Sequence, residues 1–390
     1  MRRPRLFAAA GSIAVLVTVV LWVFTAEARG ALPAGHFTPA IQPPWPLSDA
    51  AAKSIRDEAL ARAALRIAYP EHVSIAGVPE PELPDDDPLT CRYLHDAPSG
   101  TTAKFDCVLD GGAVIKVKYN RNSEIHAEVA AARLISALGF PADAMTIVPR
   151  VRCYGCPRYP FFATQVLAFA SPQALGPNGY DNAYTDFDWV AVERKFPAAA
   201  IETPTEKGWA WFELTRSQAP RADLDALRLL AMFLAHWDNK SENQRLVCLD
   251  EVPPAPDQPC ARPLALMQDV GSTFGPSKIN LAKWQEMPVW RDRQRCRISM
   301  SDYPFEGATF PPVEISEEGR QQLARQLASI SEQDVRQLFA DARFPEFQSG
   351  TDDERDLEAW VHAFRRRVDQ ILMTGPCQPA AGSGQPAAKD

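Results

Sequence analysis

The stretch LAHWDNKSENQRLVCLD, Leu234–Asp250, joins the end of an apolar helical run to the start of an apolar strand. Between the two, the nine residues from His236 to Gln244 include a histidine, two acids, a lysine and two asparagines. Polar groups beside a core element cost free energy unless they are hydrogen-bonded or used in function. The stretch therefore marks a candidate functional loop at the end of a core helix.

The spacing of the polar residues in this loop fits phosphoryl transfer. An aspartate at Asp238 can orient the proton of an acceptor hydroxyl, and Lys240 can offset the charge of the moving phosphoryl group. Asn243, five residues after Asp238, can turn back to hold a metal ion. The alternative is an ordinary polar loop between a helix and a strand, but five polar residues at fixed spacing favour the functional interpretation.

A second acidic motif follows downstream, where the apolar stretch LALMQDVGSTFG, Leu264–Gly275, ends its strand-like part at Asp269. An aspartate followed by a glycine after a buried strand is typical of a magnesium ligand in phosphotransferases. The motif is weak when it stands alone. Its place one strand, one loop and another strand after Asp238 strengthens it.

A lysine strand precedes a helix that contains glutamates. Lys116 and Lys118 alternate with an apolar residue, so a strand would place both on one side. Glu124 and Glu128 lie one turn apart on one face of the next helix. A lysine–glutamate pair between sheet and helix would hold the lysine where it reaches a phosphate. Taken alone, these residues are more typical of solvated charges on an edge strand and a surface helix, because charged helical faces are common.

Together these motifs resemble those of protein kinases, whose catalytic loop reads H-R-D-L-K-P-E-N, and most of all the secretory-pathway kinases of the Golgi casein-kinase type. AEVAAARL (Ala127–Leu134) is similar to a helix of that family and favours Glu128 over Glu124. DVGSTFG (Asp269–Gly275) is similar to its metal motif, with Val270 where that family has asparagine. The blocks GWAWFEL and HWDNK.ENQ also resemble those of uncharacterised bacterial envelope proteins.

The resemblance implies an α+β, two-lobed protein-kinase-like fold with a strand-rich N-lobe and a helical C-lobe. It implies ATP with Mg or Mn as cofactors. Lys118, with Lys116 as the fallback, would contact phosphate and pair with Glu128. Asn243 and Asp269 would hold the metal, and Asp238 and Lys240 would be catalytic.

Departures from the kinase pattern leave a second function open. The sequence has no clear G-x-G-x-x-G before the lysine strand and no A-P-E element. The first hypothesis is an exported or membrane-anchored phosphotransferase that moves the γ-phosphate of ATP to a hydroxyl of a protein, glycan or lipid. The alternative is a catalytically silent, pseudokinase-like envelope binding protein.

The N-terminal segment predicts export. Three arginines, at positions 2, 3 and 5, precede an uncharged run from Leu6 to Phe24. This order is typical of a signal peptide, for which Ala26 and Ala28 offer a cleavage site, and the run is also long enough for a membrane anchor. Either interpretation places the bulk of the chain outside the cytoplasm, in a periplasmic or secretory location. The net charge of -8 disfavours a nucleic-acid partner.

Eight cysteines, an even number, agree with export because exported chains pair them as disulfides. Cys248 and Cys260 bracket a proline-rich loop and are the pair that the sequence favours. The motif CYGC, Cys153–Cys156, is favoured as a structural disulfide over a redox motif or half of a zinc site, because no second CxxC or histidine cluster lies nearby.

The block around KGWAWFEL carries several residues that would suit a substrate surface, although alternating aromatic residues more often pack onto a core. These residues are Arg194, Lys195, Trp209, Trp211 and Glu213. The surrounding segment, 170–220, has no regular pattern. In the lipid or glycan version of the first hypothesis, this segment would bind the acceptor.

Hydrophobic periodicity predicts the remaining elements and the domain organisation. The predicted helices are Asp49–Tyr69, Glu124–Leu138, Asp223–Ala235 with Asp223 as its N-cap, Glu317–Ser329, Glu332–Ala342 and Asp352–Met373. The predicted strands are Ala103–Leu109, Ala113–Tyr119, Met145–Cys153, Phe161–Ala170, Gln244–Asp250 and Pro263–Asp269. The predicted organisation is a signal peptide or anchor (1–28), a proline-rich tether (29–48), the N-lobe with its preceding helix (49–168), the C-lobe (169–374) and a disordered tail (375–390).

Overall fold

The computed structural model of the protein forms two compact units. Among the described residues, the barrel unit comprises Pro81–Asn122 and Thr146–Lys195, and the helical unit comprises 47–80, Ser123–Met145 and the chain from Phe196 onwards. The structure describes residues 47–94, 100–163, 183–203, 205–251, 255, 257–276, 278–303, 310–346 and 357–377. The predicted lobe boundary near residue 168 stays a prediction.

Five strands form the barrel unit. They lie in the order β1-β2-β3-β5-β4, and β1 pairs with β4 in parallel to close the barrel. The strands are β1 (Leu89–Leu94), β2 (Lys104–Val108), β3 (Val114–Lys118), β4 (Ala144–Tyr154) and β5 (Tyr184–Arg194). With the helices of the other unit, this barrel gives the α+β architecture that the sequence predicts.

The β2–β3 hairpin confirms the strand prediction around DGG. Ile115 and Val117 are fully buried, whereas Val114 is exposed, as expected for a strand with one face on a core. Gly112 has φ 81° and donates its N–H to the Leu109 carbonyl at 2.8 Å. A glycine suits this tight turn because it adopts positive φ without steric cost.

Two predictions for the barrel unit are wrong. The 11-residue strand β5 lies within the segment predicted to be irregular. Residues 160–163 are helical, although Phe161–Ala170 reads as a strand, and residues 164–170 lie outside the described residues.

The helical unit contains eight described α-helices and two small sheets. Strands β6, β7 and β8 form one antiparallel sheet, and β9 pairs with β10. The helices are α1 (Asp49–Arg62), α2 (Ser123–Ala137), α3 (Trp211–Leu214), α4 (Arg221–Leu234), α5 (Leu281–Glu286), α6 (Glu317–Ser329), α7 (Glu332–Asp341) and α8 (Leu357–Leu372). The strands are β6 (Ala199–Ala200), β7 (Gln244–Cys248), β8 (Pro263–Met267), β9 (Arg297–Ile298) and β10 (Val313–Glu314).

Tertiary contacts override local pattern at two helix ends. Helix α1 stops at Arg62 rather than Tyr69, because Ala64 donates its N–H to the Pro263 carbonyl at 2.9 Å and runs beside β8. Asp223 lies in the first turn of α4 and is not its N-cap. Its carboxylate instead binds the side chains of Arg66 (3.0 Å) and Tyr69 (2.6 Å).

Four disulfides join all eight cysteines: Cys91–Cys107, Cys153–Cys156, Cys248–Cys260 and Cys296–Cys377. The predicted Cys248–Cys260 pair is confirmed. The prediction of a disordered tail is wrong as far as Cys377, and residues 378–390 lie outside the described residues. Four disulfides suggest an extracytoplasmic protein, as the sequence predicts.

The predicted signal peptide or anchor and most of the predicted tether, residues 1–46, also lie outside the described residues. Within the part of the chain that the structure describes, no helix has both the length and the apolar character needed to cross a membrane.

Buried Arg367 of α8 hydrogen-bonds to backbone carbonyls of two other parts of the helical unit. It donates hydrogen bonds to the carbonyls of Met232 and Phe233 at the end of α4, and to those of Trp284 and Met287 around α5. The side chain is fully buried, and burial lowers its pKa to about 10, while Tyr303 acts in the opposite direction. One guanidinium therefore joins three helices by satisfying carbonyls that the helix ends leave unpaired.

Replacing Arg367 with Met should lower the free energy of unfolding by about 3 kcal/mol or more, because four buried carbonyls each lose a hydrogen bond from the guanidinium. The neighbouring Arg366 is exposed on the same helix and supplies the control. Chemical denaturation of Arg366→Met should match the unsubstituted chain within about 0.5 kcal/mol. Equal stability of the two variants would show that the Arg367 bonds do not hold the unit together.

His126 of α2 should make stability fall with acid. Burial lowers its pKa to about 4, which the Ala342 carbonyl opposes and Arg343 reinforces. The unfolded chain therefore binds a proton that the folded chain resists, and stability present above about pH 6.5 is lost as pH falls toward 4. From pH 7.5 to pH 5 we expect a loss of about 2 kcal/mol from this group.

Denaturant titrations of His126→Leu at several pH values should show a shallower slope between pH 7.5 and 5 than the unsubstituted chain. Exposed His362 on α8 offers the matched control, and His362→Leu should keep the original slope. A His126→Leu slope equal to the original would contradict the assignment, whatever the absolute stability of the variant.

Candidate functional site

The candidate loop begins where α4 ends. Ala235 has φ 57°, a left-handed conformation that closes the helix, and the His236 N–H then donates to the Ala231 carbonyl at 2.9 Å. Two asparagines fold the loop by amide-to-carbonyl bonds, Asn239 to His236 at 2.7 Å and Asn243 to Asp238 at 2.9 Å. The Asn243 bond uses the amide nitrogen, so the amide oxygen is the atom that suits a metal.

Asp238 and Lys240 form an ion pair with 3.1 Å between Nζ and Oδ1. The side chain of Asp238 is 24% exposed and that of Lys240 is 49% exposed. The carboxylate is therefore half-buried yet accessible to an external group. A lysine at this distance can share its charge between the aspartate and an incoming anion.

The β7–β8 register brings Asn243 and Asp269 to one end of the sheet. Gln244 of β7 lies opposite Met267 of β8, and the strands are antiparallel. Asn243 directly precedes β7, and Asp269 follows the end of β8 by two residues. Asn243 and Asp269, 26 positions apart in the chain, therefore lie at the same end of the β7–β8 pair.

Asp269 lies in a left-handed conformation with φ 53°. Such residues cost free energy and cluster at active sites, and aspartate tolerates the region better than most residues. The preceding side chain, Gln268, donates to the buried Asp143 carboxylate at 2.7 Å, which fixes the exit of β8. The left-handed backbone at Asp269 therefore directly follows a residue whose side chain is fixed by a hydrogen bond.

The glycine of this motif serves a close approach between α2 and the loop. A Cβ on Gly271 would lie 2.6 Å from the Cγ of Glu124 and 2.9 Å from its carbonyl oxygen. Val270, the departure from the family pattern, is buried. Phe274 donates its N–H to the Leu234 carbonyl at 2.9 Å, so the Asp269 loop is tied directly to the end of α4.

His236, the first polar residue of the loop, is buried, and its surroundings shift its pKa. Burial lowers its pKa to about 4, while the Ser272 backbone and the charges of Asp238 and Asp269 act in the opposite direction. The imidazole is therefore neutral at physiological pH. It therefore fills buried volume at the start of the loop without adding charge.

The predicted lysines belong to a charge cluster in the barrel unit. Lys118 is buried and its Nζ lies 2.9 Å from Oε2 of Glu193 on β5. Lys195 pairs with the other carboxylate oxygen, and Lys116 lies opposite Glu193 in the strand register. Burial disfavours the charged form of Glu193, but Lys118, Lys195 and Lys116 outweigh it and hold the pKa of this carboxyl well below its usual range.

A second carboxylate belongs to the same surroundings, because Asp106 of β2 lies opposite Lys116 in the β2–β3 register. Glu193 was not identified from the sequence, because the segment around β5 was predicted to be irregular. The alternation VAVER within it is the signal that could have found this partner. Glu128 is buried on α2, and its predicted pairing with Lys118 stays a prediction.

The GWAWFEL block supports the loop. Trp209 and Trp211 are buried, and the Trp209 indole donates to the Leu266 carbonyl of β8 at 3.1 Å. A Cβ on Gly208 would lie 2.1 Å from the carbonyl oxygen of Ser241 and 2.3 Å from that of Gln244. The core interpretation of these aromatic residues is confirmed, although they lie on a loop and the short helix α3, not on a strand.

Comparison with known proteins gives distant structural likeness to solved structures. No family model matches the sequence, and no curated protein matches it. A solved structure of the Helicobacter pylori proinflammatory kinase CtkA is similar over 72% of this chain and 94% of that chain, with a TM-score of 0.39 and 9% sequence identity. A likeness at this level does not establish a family or an activity.

Replacing Glu193 with Gln should lower the free energy of unfolding by about 3 kcal/mol or more, because buried Lys118 loses its counter-charge. The matched control is Asp188→Asn on the same strand, where the ion pair with Arg150 is half-exposed on both sides. That control should cost less than about 1 kcal/mol. Denaturant unfolding of both variants measures the difference, and a Glu193→Gln cost as small as the control would contradict the cluster.

Proposed function

We propose that the protein is an exported or membrane-anchored, kinase-like phosphotransferase that moves the γ-phosphate of ATP to a hydroxyl group of a protein, glycan or lipid. The observation that carries the proposal is the joint anchoring of the Asp238 and Asp269 loops at the end of α4. His236 at the start of the Asp238 loop donates its N–H to Ala231, and Phe274 of the Asp269 loop donates its N–H to Leu234. Asn243 directly precedes β7, which pairs with β8.

The donor atoms at this edge suit Mg²⁺ or Mn²⁺. The two carboxylates and the amide oxygen of Asn243 are hard oxygen ligands, which these ions prefer over nitrogen or sulfur. Asn243 and Asp269 would hold the ion. When bound, the ion would neutralise charge on the β- and γ-phosphates of ATP.

The remaining roles follow from position and charge. Asp238, accessible and held by its own loop, would orient the acceptor hydroxyl and accept its proton. Lys240 would release part of its pairing with Asp238 as the phosphoryl group arrives. In the barrel unit, Lys118 would contact phosphate, with Glu193 keeping its ammonium group in place, and Lys116 would add to the same positive field.

The test is ADP formation by the full chain with ATP and Mg²⁺ or Mn²⁺, in the presence of protein, glycan and lipid acceptors in turn. One acceptor class should support turnover. Asp238→Asn should lower that turnover by about a hundredfold or more, as expected for loss of a group that handles the proton. Glu242→Gln, an exposed acid in the same loop, should leave it within about twofold of the original.

The outcomes separate the proposal from its alternative. Turnover that survives Asp238→Asn would remove Asp238 from the chemistry and contradict the proposed mechanism. Nucleotide binding without turnover on any acceptor would favour the pseudokinase-like binding protein instead. In that case the polar loop would be a ligand site without catalysis.

A further inference from the structure

Four cysteines from separate parts of the chain meet inside the barrel unit. Cys91 of β1 lies opposite Cys153 of β4 in the parallel register. Cys107 of β2 is bonded to Cys91, and Cys156 follows β4 and is bonded to Cys153. All four side chains are almost completely buried.

The two disulfides touch each other through sulfur. The Sγ atoms of Cys107 and Cys153, which belong to different disulfides, are 3.6 Å apart. The sulfurs of Cys91, Cys107 and Cys153 all lie within 4.8 Å of one another. In a tetrahedral zinc site with Zn–S bonds of about 2.3 Å, adjacent sulfurs are separated by about 3.8 Å. The contact between the disulfides therefore already has the spacing of a tetrathiolate edge.

We propose that these four cysteines form a tetrathiolate site for Zn²⁺, or a similar soft divalent ion, when both disulfides are reduced. Sequence spacing alone favours a simple loop disulfide at Cys153–Cys156, because the partner thiols lie on distant strands. The barrel supplies them: β1 and β2 deliver the second pair of sulfurs to the CYGC pair. Four sulfur ligands fill the tetrahedron, so the site would be structural and would leave no position for water or substrate.

A dithiol can supply the electrons that reduce the two disulfides. Two molecules of dithiol reduce the two disulfides by exchange, and each becomes a disulfide while the protein gains four thiols. One divalent ion then binds four thiolates and displaces one proton from each sulfur. The same sulfurs would thus cross-link β1, β2 and β4 in an oxidising compartment as disulfides, and in a reducing one through the metal.

The other two disulfides do not offer this set and supply the control. In the described part of the chain, Cys248 and Cys260 have one further candidate ligand, Asp250, within the same distance limit. Cys296 and Cys377 have one, Glu317. Each of these groups contains two sulfurs, whereas the barrel group contains three, to which Cys156 is joined through its disulfide with Cys153. The inference is independent of the proposed phosphotransferase activity.

The experiment reduces the full chain anaerobically with tris(2-carboxyethyl)phosphine and titrates it with Co²⁺, followed by displacement with Zn²⁺. We expect one tightly bound ion per chain, the intense visible bands of tetrahedral Co²⁺ and ultraviolet sulfur-to-cobalt charge transfer at the strength of four thiolates. Binding should release four protons per ion at neutral pH. It should also raise the melting temperature of the reduced chain.

Variants locate the site. Cys107→Ser/Cys153→Ser should abolish the cobalt spectrum, whereas Cys248→Ser/Cys260→Ser should keep it. The proposal is overturned if the reduced chain binds no ion, if charge transfer corresponds to two thiolates, or if the signal follows Cys248 and Cys260. An ion bound without a cooperative melting transition would also overturn it, because the ligands would then come from an unfolded chain. These readouts on the unsubstituted protein stand even if the first variant fails to fold.

Discussion

The helical unit depends on how the last turn of α4 satisfies its carbonyl groups. An apolar helix that ends inside a core leaves several carbonyls without intrahelical partners, and each must find a donor. Arg367 supplies donors to two of them, and the N–H of Phe274 supplies the donor for Leu234. Because Phe274 belongs to the Asp269 loop, and His236 opens the Asp238 loop, the same helix end fixes both acidic loops.

This anchoring explains why a concentration of polar residues is tolerated beside the core. His236 is kept neutral by burial, the two asparagine amides hydrogen-bond within their own loop, and the charged groups of Asp238, Lys240 and Glu242 reach solvent. In the barrel unit the opposite solution is found, since charge is retained and compensated: Glu193 stays ionised among three lysines. A neutral buried imidazole and a compensated buried carboxylate each avoid the cost of an isolated buried charge.

Much of the candidate site could be proposed from the sequence because its residues are local in the chain. The spacing of Asp238, Lys240 and Asn243 depends on one loop, and Asp269 depends on one strand end. The ion pairing of Glu193 was harder to predict. Its partner Lys118 is distant in the sequence and comes close only because β5 pairs with β3. Contacts distant in the sequence also explain two helix ends. The helical pattern of α1 continues past Arg62, but pairing beside β8 ends the helix. Asp223 binds the side chains of Arg66 and Tyr69 and does not cap α4.

The central claim is that Asp238, Asn243 and Asp269 form one metal-dependent nucleotide site. The most direct measurement is the melting temperature of the full chain with and without ATP, in Mg²⁺ and then in Mn²⁺, beside an Asp269→Ala variant. A ligand that binds only the folded state adds about 2.7 kcal/mol of stability at a hundredfold excess over its dissociation constant. We expect a metal-dependent rise in melting temperature with ATP that the Asp269→Ala variant loses. The absence of a rise in either metal, or a rise that survives the substitution, would contradict the claim.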